Sequence, residues 1–100
     1  MVKIIHSKEE FEKETSQDAI VDFSATWCGP CQMLKPLIEK VAEEHPELSI
    51  LSVDVDEVPS PCEKYGIFSI PTIIVFKDGK EAKRNVGYLA EPNLKKFLGL

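Results

Sequence analysis

Apolar and polar positions alternate in short blocks along the chain, and the period changes from block to block. "KIIH" near the start reads as a short strand. "SKEE" follows with a capping box, Ser7 as N-cap and Glu10 at the third helical position, opening a helix to about Ser16. "AIVDFSA" is β-rich without alternation, the pattern of a buried strand. From Cys31 the spacing turns helical, with apolar residues at 33, 34, 37, 38, 41 and 42, and Pro36 inside that helix predicts a kink. "LSILSVDV" reads as a strand, and "DEVPSPCEKYG" as a short helix with prolines at its start and Gly66 past its end. "TIIVFK" is a strand. "DG" at 78–79 signals a hairpin into "EAKRNVG". The tail, "EPNLKKFLGL", is an amphipathic helix with Leu94, Phe97 and Leu98 on one face. The order β-α-β-α-β-α-β-β-α predicts an α/β fold, a mixed sheet with helices on both faces.

Composition fits this picture. At 100 residues and 43% hydrophobic, the chain is expected to form a single domain over 1–100 with one real core, so disulfides are not needed for folding. The net charge is −5 and no Lys/Arg run stands out, which argues against nucleic acid and anionic membranes as partners. The apolar stretch of "MVKIIHSKEE" is too short for a signal peptide, and "IPTIIVF" is too short to span a bilayer. A cytoplasmic monomer is the expectation.

Against that background "WCGPC" at 27–31 stands out: two thiols flank the two strongest helix breakers. A metal site, a structural staple and a redox centre are the competing readings. The odd cysteine count (Cys28, Cys31 and Cys62) weakens the staple. Structural zinc takes four ligands, usually as two pairs, and neither His6 nor His45 lies near a second pair. The redox reading has a physical basis. Cys28 falls between a strand and a helix, where free N–H groups and the helix dipole stabilise a thiolate. Cys31 falls in the first turn, where i, i+3 spacing brings the sulfurs together. Gly29 and Pro30 keep the turn compact, and proline is tolerated in a first turn because its missing N–H has no partner there anyway. Cys28, nearer the surface, is then the attacking thiol, and the more buried Cys31 resolves the mixed disulfide.

Other residues stay ambiguous on pattern alone. Asp22 lies mid-strand, where burial would raise its pKa and suit it to proton exchange with Cys31, but Ser24 shares its face and a solvent-facing position fits equally. Pro71 in "SIPT" is either a strand-edge proline or a cis bond exposing backbone to a partner. Trp27 fits a core, and Gly87 fits plain turn chemistry.

"VDFSATWCGPC", Pro36, "DVDEVP", "KYGI", "IPT", "FKDGK" and "VGYL" stand in the order and spacing of thioredoxins, and the chain resembles that family over essentially its whole length. The resemblance implies a central mixed sheet of about five strands flanked by four helices. It implies a general protein-disulfide reductase with Cys28 as nucleophile, Cys31 resolving and a buried Asp22 assisting. It also implies a cis Pro71 and a partner surface of Trp27, Gly29, Pro30, Ile70, Pro71, Val86 and Gly87. The cofactor would be none beyond the Cys28–Cys31 disulfide. Partners would be a thioredoxin reductase, NADPH- or ferredoxin-linked, and disulfide substrates such as ribonucleotide reductase, peroxiredoxin and methionine sulfoxide reductase. A disulfide isomerase or oxidase, or a non-catalytic binding subunit on the same fold, are the alternatives. Two positions depart from many bacterial members: Ser52 stands where they carry a lysine near the buried aspartate, and Ser24 replaces an aromatic. Cys62 is not a general family cysteine. "SPCE" reads as Ser60 capping a helix, with Pro61 first and Glu63 third, which would make Cys62 somewhat acidic and a possible regulatory thiol. A small buried residue in place of alanine is the plainer reading.

Overall fold

In a computed structural model describing residues 1–100, nine elements follow in the predicted order. They are β1 (Val2–Ile5), α1 (Lys8–Thr15), β2 (Ala19–Ser24), α2 (Gly29–Glu44), β3 (Ile50–Asp54), α3 (Pro59–Tyr65), β4 (Thr72–Lys77), β5 (Lys80–Val86) and α4 (Glu91–Leu98). The strands form one sheet in the order β1-β3-β2-β4-β5. β3 pairs in parallel with β1 and β2, and β4 runs antiparallel to β2 and β5. β2 and β4 are interior strands, and only Ser24 and Lys77 at their ends escape full burial. Cover on both faces is the reason their sequences read as apolar runs without alternation.

Each face of the sheet carries its own apolar layer. On one, Phe11 of α1 packs with Phe23, Tyr65 and Phe76, with ring centroids 5.3–6.1 Å apart where the rings meet. On the other, Leu34, Ile38 and Val41 of α2 and Leu94 of α4 cover Ile20, Ile50, Ile73 and Val75. Phe97 and Leu98 join this layer as the tail's pattern predicts. Each fully buried side chain of this size contributes about 1.5–3 kcal/mol relative to exposure.

Local signals set the boundaries. The Ser7 hydroxyl accepts from the Glu10 N–H at 3.1 Å, as the capping box requires. The Glu10 carboxylate returns one residue further out than expected, to the His6 N–H at 2.7 Å. Asp78 and Gly79 both have positive φ, 53° and 81°, which is the conformation a two-residue hairpin turn demands. Helix α3 corrects the sequence reading. Its cap is Val58, not Ser60, because Pro59 supplies the fixed φ of a first helical position and starts the helix earlier.

Candidate active site

Cys28 is the N-cap of α2, with extended φ/ψ of −93° and 114°, and Gly29 and Pro30 occupy the first helical positions. Cys28 and Cys31 form a disulfide with their Cα atoms 5.3 Å apart. The Cys31 N–H donates to Cys28 Sγ at 3.3 Å, so one of the free donors of the helix end points at the outer sulfur. Both cysteines are buried, Cys28 at 6% and Cys31 at 3% exposure. The difference in exposure is smaller than position in the turn suggests, because Val55 and Ile70 pack against both together with Ala25.

A second loop reaches the disulfide, and the end of β5 is hydrogen-bonded to that loop. The Ile70–Pro71 bond is cis, and the Ile70 carbonyl oxygen lies 3.9 Å from Cys28 Sγ. Gly87, at φ 103°, donates its N–H to the Pro71 carbonyl at 2.7 Å, and Val86 lies opposite Thr72 in the β4–β5 ladder. Trp27 is not core: it is 70% exposed, and its indole N–H donates to Asp56 at 2.8 Å. Asp56 went unnoticed in the sequence; the only signal was the acidic alternation of "DVDE" after an apolar strand.

Asp22 lies behind the disulfide. It is 5% exposed and lines a cavity of about 430 Å³ with Cys31, Ser24, Ser52, Lys35 and Glu39. Ser52 is its register partner on β3. Asp22 and Ser24 do share a face, but α2 roofs it, which removes the solvent-facing alternative. Asp22 Oδ1 has no hydrogen-bond partner, and burial pushes the carboxyl from its ordinary 3.8 up to about 7. Lys35 and Glu39 stand one and two helical turns beyond Cys31 on α2, and the apolar spacing of that helix gives no sign that they line the cavity.

The thioredoxin family model matches residues 2–99. The chain belongs to the thioredoxin family. It is 44% identical to the thioredoxin of Chlamydia trachomatis over 98 residues, covering 98% of this chain and 96% of that one. It is 42% identical to thioredoxin-1 of Saccharomyces cerevisiae over 89 residues, 87% of this chain and 86% of that one. The structure of Plasmodium falciparum thioredoxin aligns with a TM-score of 0.91 at 37% identity, covering 97% and 96% of the two chains. Thioredoxins work through a redox-active disulfide without a cofactor. With its Cys28–Cys31 pair this chain is a thiol–disulfide oxidoreductase.

Cys62 stands apart from that thioredoxin pair. Because α3 begins at Pro59, Cys62 is past the third helical position, and its thiol lies 3.9 Å from the Val58 carbonyl oxygen. It packs half-buried against the aromatic layer, and burial pushes its pKa up. The expectation of an acidic thiol is therefore corrected: the cap that would have lowered it lies elsewhere.

Proposed function

We propose that this chain is a general protein-disulfide reductase. The Cys28 thiolate, favoured by the end of α2, attacks a substrate disulfide. The substrate S–S bond breaks, a Cys28–substrate disulfide forms, and the first substrate thiolate leaves and takes up a proton. Cys31 gives its proton to Asp22, and the resulting thiolate attacks Cys28 Sγ. The second substrate thiol then departs with a proton returned by Asp22. The substrate has gained two electrons and two protons, and the protein holds the Cys28–Cys31 disulfide.

The observation that carries this reading is the shared cavity: Cys31 and an unpartnered Asp22 carboxyl both line it. A group that titrates near 7 gives and takes a proton with little penalty at neutral pH. The cavity is roomy enough for water to bridge the carboxyl and the sulfur. Ile70 supports the docking half of the reading. Its N–H and C=O make no backbone hydrogen bond, so they are available to an extended segment of the substrate. Trp27, Gly29, Pro30, Pro71, Val86 and Gly87 surround that position as the contact surface. A thioredoxin reductase in the cytoplasm recharges the disulfide, and the acceptors are enzymes that end their own cycle as a disulfide, such as ribonucleotide reductase, peroxiredoxin and methionine sulfoxide reductase.

Insulin reduction by dithiothreitol tests the assignment. Wild-type protein is expected to accelerate it, and Cys28→Ser to abolish the acceleration. Cys31→Ser is expected to trap the mixed disulfide. Activity that survives Cys28→Ser contradicts the mechanism.

A further inference from the structure

Phe68 has no place in either apolar layer. It is 96% exposed, in the loop between α3 and β4. Its ring lies over Gly66, where a Cβ would stand 3.6 Å from Phe68 Cε2. A fully solvated phenyl ring contributes nothing to folding, and covering it is favourable for whatever covers it. Its position decides what that is. Phe68 precedes Ile70 by two residues, so its Cα is within about 7 Å of the Ile70 Cα. The Ile70 carbonyl is the one beside Cys28 Sγ.

We infer that Phe68 is a specificity-determining residue, an anchor for an apolar side chain lying two or three residues from the cysteine that the substrate presents. The inference rests on the proposed exchange at Cys28. A mixed disulfide places the substrate cysteine's Cα about 6 Å from that of Cys28. Substrate residues two or three positions away then lie about 7–10 Å further along an extended segment, within reach of the Phe68 ring. Trp27, 70% exposed, adjoins Cys28 in the chain, and Val86, 58% exposed, pairs with Thr72 just after Pro71, so two further exposed apolar side chains stand on segments tied to the disulfide. The occupant is an extended segment of a disulfide-bearing protein with Leu, Met or an aromatic near its cysteine, rather than a polar one.

Single-turnover kinetics test this with two short peptides, each with one cysteine capped as a mixed disulfide with 2-nitro-5-thiobenzoate. They differ only in carrying Leu or Ser two residues to either side of that cysteine. Attack by Cys28 on the peptide sulfur forms the Cys28–peptide disulfide and releases the coloured thiobenzoate, so the step is read directly. Pre-reduced wild type is expected to favour the Leu peptide about fivefold, the return for half-burying one such side chain. Phe68→Ser is expected to bring the ratio of the two rates close to one, and Phe68→Leu to keep most of it. An unchanged ratio across the three proteins overturns the inference, as does a wild type without preference. Thiobenzoate release by Cys28→Ser at the wild-type rate is a different failure: it removes the exchange reading first, and the role of Phe68 falls with it.

Discussion

Asp22 concentrates the tension in this molecule on one side chain. It is a carboxyl in an interior strand, one oxygen unpartnered, with its pKa pushed to about 7 by burial. Between pH 4 and 7 the native chain holds a proton that the unfolded chain has released. Stability therefore falls as pH rises through that window and levels off above it. The gap of about three pH units corresponds to roughly 4 kcal/mol. Asp22→Asn cannot ionise, so its stability relative to oxidised wild type should rise by a few kcal/mol from pH 4 to pH 8. Urea denaturation at the two pH values measures this, and a pH-independent difference contradicts it. The register partner gives the complementary experiment. Ser52→Lys brings a cation beside the carboxyl and should lower its pKa. An NMR titration of the Asp22 side-chain carbons reads the shift, and a rise or no change defeats the argument.

At the scale of elements, boundaries follow local chemistry. Ser7 satisfies one free N–H of α1, so Ser7→Ala should lower stability by about 1 kcal/mol in urea denaturation, leaving disulfide exchange unaltered. Such signals explain how much could be read ahead of the structure. The interior strands β2 and β4 announced themselves as largely apolar runs without alternation, the hairpin as Asp78–Gly79, and the start of α2 as a proline between two cysteines. Two failures have clear causes. Ser60 looked like a cap because cap chemistry is common to serines, while the fixed φ of Pro59 had already begun the helix. The burial of Asp22 could not be read because alternation says which residues share a face but not what covers it. Here the cover is α2, which follows in sequence but meets Asp22 only once the sheet forms. Phe68 was silent for a similar reason: the apolar residues of "GIFSIP" have no period, and only three dimensions separate Ile67 and Ile70, which pack against the core, from Phe68, which does not.

The whole molecule is one sheet dressed on both faces, and its two layers should behave as parts of one cooperative unit. Ile5 belongs to the layer under α1 and α3, and Ile73 to the layer under α2 and α4. Three strand spacings separate β1 from β4, about 14 Å. Ile5→Val and Ile73→Val should each lower stability by about 1 kcal/mol, and the double variant should lose the sum in a single thermal transition. Two resolved transitions, or a loss well away from the sum, would show that the faces fold separately or are coupled through the sheet.

The sheet also has two free borders, and they are treated differently from the disulfide end. β5 is a border strand whose exposed stretch carries Lys80, Glu81 and Lys83, and β1 is only four residues long with Lys3 inside it. Short or charged borders resist the edge-to-edge stacking by which sheets of separate molecules fuse. Exposed backbone that can pair with an extended segment carries a standing risk of polymerisation. This chain sets the free backbone of Ile70 in a loop beside Cys28 Sγ, where an encounter can end in chemistry and release.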